Sequence, residues 1–463
     1  MKKSTLALAV SVSVLATQAG AAGFFDDSKA TVSSRTMYFE NDNREQFGTA
    51  KASDQRETAE GLLFNFISGY TPGTVGFGLD VQSMVGIHLG GGISHHSTTT
   101  SNSFFPTDTD GSSTDSWSRT GANAKVKLSK TELKLGNALQ PNLPILVAND
   151  GRLLPQTFEG GTITSKEIDN VTFNAGKLTK EAGRASSNYA GMAVAGATQD
   201  SNSFVFGGAD WKVTKDLTLQ AYHSELEDYY KQTFLGLVHV FPIAEDQSFK
   251  TDLRYFDSSS VGKNGQSAAG YRFNNNGGYA KNLGEVDNKT WSAMFTYTLG
   301  GHSLMLGHQD VGGDGGFVWM NNGNVSKDGT SATHGEGEAG SSFYLFTDSM
   351  INQFARAGET TNFGQYSYDF ARLGAPGLKA SLAYLKGTNI KAQNSATNLG
   401  DSSEWERDMR IDYVFQDGLL KGFGASLRRA NYRGDFTGTN AQNSHIADQD
   451  QTRLIFNYTY AFK

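Results

Sequence analysis

Large apolar residues recur at every second position along most of this chain. Between Arg453 and Phe462, the side chains of Leu454, Phe456, Tyr458, Tyr460 and Phe462 share one face, while Ile455, Asn457, Thr459 and Ala461 share the other. A period of two is that of an extended strand with unlike faces. The same rhythm runs through Leu62, Phe64, Phe66 and Tyr70, and through Val75, Phe77, Leu79 and Val81. It recurs in Trp291, Ala293, Phe295, Tyr297 and Leu299, and in Met409, Ile411, Tyr413 and Phe415. Eighteen such segments can be counted. A soluble sandwich also alternates, but five large apolar residues in a row on a last strand suit a lipid-facing strand with an aromatic girdle.

The connections sort by length. Short ones fall at Tyr70–Gly73, Ser129–Thr131, Ile168–Asn170, Val213–Asp216, Ala244–Asp246, Gly300–Gly301, Gly374–Gly377 and Gln416–Leu420. Long ones fall at Ile87–Thr120, Asn137–Gly160, Lys180–Ser201, Ser258–Asn288, Val311–Thr361, Gly387–Ser402 and Gly434–Gln451. The two kinds alternate, with shorter links near Asn43–Gln55 and Glu227–Tyr230 as the lapses. This predicts an all-β, transmembrane, antiparallel up-and-down β-barrel of about 18 strands, with short periplasmic turns and long extracellular loops. Every backbone N–H and C=O in hydrocarbon must be bonded within the protein, so the sheet has to close. A barrel of this size has a lumen wider than its own side chains fill, so loops or water must occupy it.

The N-terminus reads differently. Lys2 and Lys3 precede a small and apolar run from Leu6 to Ala16, and Ala19-Gly20-Ala21 supplies an A-x-A site. Residues 1–21 are therefore expected to be a secretory signal peptide and residues 22–463 a single barrel domain. The run is shorter than the ~20 apolar residues a spanning helix needs. Mean hydropathy is −0.42 over the 463 residues, which excludes a helical membrane bundle. Net charge is −7, and −9 once Lys2 and Lys3 are removed, so no nucleic-acid footprint appears. Cysteine is absent, which excludes disulfides, thiolate metal sites and a cysteine nucleophile.

If the apolar face meets lipid, the other face lines the lumen. Lys125, Lys127, Lys134, Lys250, Arg254, Lys379, Arg410 and Arg428 fall on that face, with Asp80, Asp252, Asp369, Asp408 and Asp412. Lipid at midplane would cost each Arg or Lys about 2–4 kcal/mol, which drives them inward. Arg35 shares its parity with Met37 and Phe39, so its direction is ambiguous. The cations either solvate a wet interior or form a track for anionic groups such as a carboxylate, to which arginine's fork is suited. Closely spaced weak sites admit a solute without trapping it.

At this point the chain resembles the OprD-type family of substrate-specific outer-membrane porins. The segments that carry the resemblance are Asp27-Ser-Lys-Ala-Thr31, Gly69-Tyr-Thr-Pro-Gly-Thr-Val-Gly-Phe-Gly78, Ser129-Lys-Thr-Glu-Leu-Lys134, Arg152-Leu-Leu-Pro-Gln-Thr-Phe158, Gly236-Leu-Val-His239, Lys250-Thr-Asp-Leu-Arg-Tyr-Phe256 and Glu404-Trp-Glu-Arg-Asp408. The resemblance implies an 18-stranded barrel with its own pore, a lumen narrowed by infolded loops, and a basic ladder that guides carboxylate-bearing solutes. It implies that Arg35, Arg410 and Arg428 are ladder arginines and that Arg152 belongs to the third extracellular loop. Asp314, in Gly312-Gly-Asp-Gly-Gly316, resembles a seventh-loop acid that faces the ladder. The chain departs from the family at Asn65, Ala383 and Ser426, where relatives often carry arginine, and in ending on Lys463 after Phe462.

The remaining constellations carry less. His95-His96 sits in a Ser/Thr-rich loop and reads as solvated; His302 and His308 read as outward, near the rims. No Gly-x-Ser-x-Gly elbow appears, and no glycine cluster is followed by a helix. The expectation is a passive, non-enzymatic channel without cofactor or metal for small carboxylate-bearing solutes such as amino acids or aromatic acids. The candidate substrate contacts are Arg35, Lys125, Lys127, Arg152, Lys379, Arg410, Arg428 and Asp314. Around the barrel the expected partners are outer-membrane lipid and lipopolysaccharide, with a monomer or weak trimer open. The alternatives are a channel for short oligosaccharides and a barrel hydrolase or receptor.

Overall fold

The computed structural model describes residues 23–44, 46–47, 50–51, 54–91, 95–96, 104–108, 110–321, 340–391, 402–435 and 448–462. The expected leader, residues 1–21, lies outside them, as does Lys463. Eighteen strands form one antiparallel sheet. In chain order they are β1 (Lys29–Asn43), β2 (Gln55–Ile67), β3 (Val75–Gly90), β4 (Ser116–Leu128), β5 (Thr131–Leu139), β6 (Thr157–Ser165), β7 (Val171–Ala182), β8 (Phe204–Lys212) and β9 (Leu217–Leu226). The second half comprises β10 (Tyr230–Ala244), β11 (Gln247–Ser260), β12 (Asp287–Leu299), β13 (His302–Val311), β14 (Thr360–Asp369), β15 (Leu378–Thr388), β16 (Glu404–Val414), β17 (Gly424–Gly434) and β18 (Gln449–Ala461). Each strand pairs with the next, and β18 returns to β1 in a register running from Thr31↔Ala461 to Asn43↔Gln449. The sheet is thus closed and has no edge to leave unbonded in lipid.

The outer face follows the alternation. Leu62, Phe64, Phe77, Leu235, Trp291, Phe295, Leu306, Ile411, Leu427, Tyr458 and Tyr460 are exposed on it. His302 and His308 point outward too, each bonded to a neighbouring strand, at Tyr366 (2.7 Å) and Asn362 (2.8 Å). The short turns form one rim. The tightest, Gly300–Gly301, has Gly300 at φ 57°, in the left-handed region that favours glycine.

The inner face departs from a uniformly wet wall. Met37, Phe39, Phe158, Leu178, Phe204, Phe234 and Phe256 point inward and are buried. Long loops cover them. Met192, Val194, Phe317, Val318, Phe343 and Leu345 pack on the wall of β5–β11, while Phe104, Leu153 and Leu154 pack on Met37, Phe39 and Met84. The apolar core therefore lies inside the cylinder, between wall and infolded loops. Backbone bridges knit those loops together at Val147↔Ser342 and Ala193↔Asn321. Arg119, on the inner face of β4, ties two of the same loops to the wall by donating to Pro155 O (2.7 Å) and to Gly183 O (2.8 Å).

His96 corrects the expectation of a solvated loop. Its neighbour His95 is exposed, but His96 is fully buried. Its Nδ1 lies 2.6 Å from Glu57 Oε1 and its Nε2 lies 2.7 Å from Thr107 Oγ1, fastening the β3–β4 loop to the barrel wall. Glu57 is an inward carboxylate on β2, a partner that lies 39 residues away in sequence and that local pattern does not reveal.

Candidate functional site

The infolded loops leave a cavity of about 370 Å³ against β14–β18, lined by Arg410, Arg428 and Arg453 from the wall and by Arg152, Arg184 and Asp348 from the loops. The strand register builds the basic side. Arg410 faces Arg428 across β16 and β17, and Arg428 faces Arg453 across β17 and β18. Directly opposed residues on one face have Cβ atoms about 4.5–5.5 Å apart, so the three arginine side chains spring from the wall at one height.

Their partners differ. Arg410 donates to Asp412, two residues along its own strand, at 2.5 Å, and its side chain remains 47% exposed to the lumen. Arg428 donates to Ser426 at 3.2 Å, and no ion pair joins it to a carboxylate among the described residues. Arg453 is buried and donates to Gln451 Oε1 (2.7 Å), Gly151 O (3.2 Å) and Met350 O (2.7 Å), which fixes the loops on both sides of the cavity. Arg35 points inward, which settles its direction. Its companions Met37 and Phe39 also point inward, under the loop that carries Leu153 and Leu154. Arg35 donates to Asp150 Oδ1 and to Arg152 O, both at 2.7 Å. Arg152 lies over the Phe39 ring at 4.9 Å. Burial above all, with Arg453 and Arg184 beside it, lowers its pKa well below the usual guanidinium value.

The acid opposite this wall is Asp348. Burial pushes its pKa up to about 6, against the pull of nearby hydrogen bonds and of Arg184 and Arg152. The segment around it is held by the upper, acidic part of β16. Ile351 N and Asn352 N each donate to Glu406 at 2.8 Å, and Met350 N donates to Asp408 at 3.4 Å. Glu404 above them pairs with Arg356. One strand face thus carries Glu404, Glu406 and Asp408 as loop anchors and Arg410 below them in the cavity.

Asp314 does not face the arginines. Its side chain is 56% exposed and lies 3.8 Å from Lys281. The glycines after it are tied to the preceding long loop and its strand, through Asn288 Nδ2 donating to Gly315 O (2.7 Å) and Gly316 N donating to Asn275 Oδ1 (2.9 Å). The same connection brings Asp348 in instead.

The lysines of β4 and β5 also lie apart from the arginine cavity. Lys125 is only 4% exposed, pairs with Asp80 at 2.7 Å and donates to Ser68 O at 2.9 Å. Lys134 pairs with Asp80 (3.3 Å) and Glu132 (3.5 Å). Lys127 is exposed, 5.4 Å from the Tyr70 ring centre. On β11, Asp252 holds both Lys250 (3.1 Å) and Arg254 (2.8 Å). Lys379 inclines to Asp369 at 3.0 Å beside a short turn, with its side chain 64% exposed. Among the departures, Ala383 lines the arginine cavity, while Asn65 lines a different one.

Arg453 went unnamed among the sequence candidates although it shares the parity of Ile455, Asn457, Thr459 and Ala461. That signal was available. Arg184 and Asp348 sit in loops where no period exists to place them.

The description "outer membrane porin, OprD family" matches residues 22–462 of this chain. The chain belongs to the OprD family. Its similarity to Porin D of Pseudomonas aeruginosa is 31% identity over 99% of this chain and 98% of that protein. Its similarity to the porin-like protein GalP of Pseudomonas putida is 32% over 98% and 96%. Among solved structures, Pseudomonas aeruginosa OccK8 (OprE) matches at 41% identity and TM-score 0.80, covering 95% of this chain and all of that one. Pseudomonas aeruginosa OpdK, solved with vanillate, matches at 31% identity and TM-score 0.77 with the same coverage. This OprD-family barrel therefore sits in a bacterial outer membrane and is a porin, a route for small solutes.

Proposed function

We propose that this porin passively admits small solutes bearing a carboxylate and that Arg410 and Arg428, flanked by Arg35 and Arg152, guide them. The observation that carries the reading is the directly opposed pair Arg410↔Arg428, with Arg428 lacking a carboxylate partner among the described residues. A guanidinium that has only a hydroxyl to bond retains donors for an incoming carboxylate, and a fork-to-carboxylate contact is strong yet exchangeable in a wet lumen. Arg453 holds the site open from behind, and Asp348 gives the opposite side a negative charge suited to a solute's donor end. Lys379 adds positive charge near the short-turn rim, the expected periplasmic exit. Vanillate, present in the OpdK structure, is itself an aromatic carboxylate, which supports the same solute class here.

The barrel is proposed to be the mature chain after removal of residues 1–21, surrounded by lipid and lipopolysaccharide, as a monomer or a weak trimer. No chemical step is assigned to it. Liposome swelling with a panel of amino acids, aromatic acids and neutral sugars tests the reading. Carboxylates are expected to enter faster than sugars of equal size; equal rates or faster sugars would remove it.

A further inference from the structure

A second cavity, about 410 Å³, lies against β2–β8 beside the loop segment from Gln140 to Leu143. It shares no lining residue with the arginine cavity. Its size falls within the range of about 300–1,000 Å³ typical of small-molecule sites.

Its charges cancel locally. Asp80 is held by Lys125 and Lys134, Lys134 also meets Glu132, and Tyr70 donates to Glu132. An ion entering here would give up water without gaining an opposite charge. The groups left over are uncharged. The Asn142 amide and the Thr162 hydroxyl line the cavity, and neither side chain makes a hydrogen bond among the described residues. Gln82 spends its Nε2 on Asn65 Oδ1 (3.0 Å) and Gln140 Oε1 (3.4 Å), while its Oε1 is buried without a partner. A buried acceptor of this kind is costly unless something donates to it. Leu139, Leu143 and Phe206 supply apolar surface beside these groups. Amide donors, amide and hydroxyl acceptors and an apolar flank together match a molecule that alternates hydroxyls with C–H faces.

We infer that this cavity is a second solute subsite, which takes uncharged hydroxyl- or amide-bearing groups. It stands independently of the arginine wall. The two walls read different chemistry, and the loop between Asn142 and Arg152 separates them.

The test uses the intact barrel in planar bilayers in KCl, with glucose as the neutral probe and benzoate as the charged one. Glucose is expected to lower and roughen the single-channel current saturably. Asn142→Leu combined with Thr162→Val keeps volume nearly constant and removes two bonding groups; it should weaken the apparent glucose affinity about tenfold and leave benzoate unchanged. Gln82→Leu leaves the loop sequence unchanged, gives up the Nε2 bonds to Asn65 and Gln140, and should weaken glucose about threefold. A wild-type current indifferent to glucose overturns the inference. So does unchanged glucose affinity in both variants, or equal weakening of benzoate, which would mean only an altered pore width. Loss of KCl conductance in the double variant marks a damaged barrel, and Gln82→Leu then decides alone.

Discussion

Two inner walls of this barrel carry inward cations, and they do different things with them. On β4 and β5, Lys125 and Lys134 share Asp80, and Lys125 is almost wholly buried. On β16–β18, Arg428 has a hydroxyl for a partner and Arg453 has carbonyls and an amide. Parity put all four inside. What separates structural cations from those free to meet a solute is the carboxylate next door, and that is a matter of cross-strand register. Asp80 sits one strand away from Lys125; the row of three arginines contains no acid.

Charge reversal in the arginine row breaks the contrast most strongly. Arg428→Glu places a carboxylate between Arg410 and Arg453, and benzoate uptake into liposomes should fall by about tenfold or more. Neutral sugar uptake serves as the control. The next experiment removes the contrast from the other side. Asp80→Asn leaves Lys125 and Lys134 without their shared acid, so the anion-to-cation permeability ratio from reversal potentials in a KCl gradient should rise about threefold.

A smaller effect comes from pH. Asp348 carries its charge above about pH 6, its raised pKa, and loses it below. Lowering pH from about 7.5 to about 5 should therefore raise anion preference about twofold, since the arginines keep their charge while the acid opposite is neutralised. Asp348→Asn should reduce that dependence, leaving Asp408 as the other acid that lines the cavity. Smallest is Lys127→Ala, at an exposed cation beside the Tyr70 ring and outside the arginine cavity, where benzoate uptake should change less than about twofold.

The barrel was legible because a strand in lipid obeys one rule at every second residue. Leu62, Phe77, Ile411 and Tyr460 must face out, and the alternation of short and long links then orders the sheet. Arg410 and Arg428 followed from the same rule. The rule says nothing about what covers the inner face. Met37 and Phe39 made the direction of Arg35 ambiguous because apolar residues also line the lumen wherever a loop docks. His96 looked solvated because its partner Glu57 lies on another element. Asp314 and Asp348 belong to one long connection, and bonds to other elements decide which acid enters the lumen: those of Asn288 and Asn275 beside Asp314, and those of Glu406 and Asp408 to Met350, Ile351 and Asn352.

The most direct test sets the two walls side by side. Reversal potentials in a benzoate gradient would be measured for the Arg410→Ala, Arg428→Ala double variant and for the Lys127→Met, Lys134→Met double variant, which removes equal charge. The arginine variant is predicted to lose most of its benzoate selectivity while the lysine variant keeps it. Equal losses, or a loss confined to the lysine variant, would contradict the claim that Arg410 and Arg428 on β16 and β17 guide the solute.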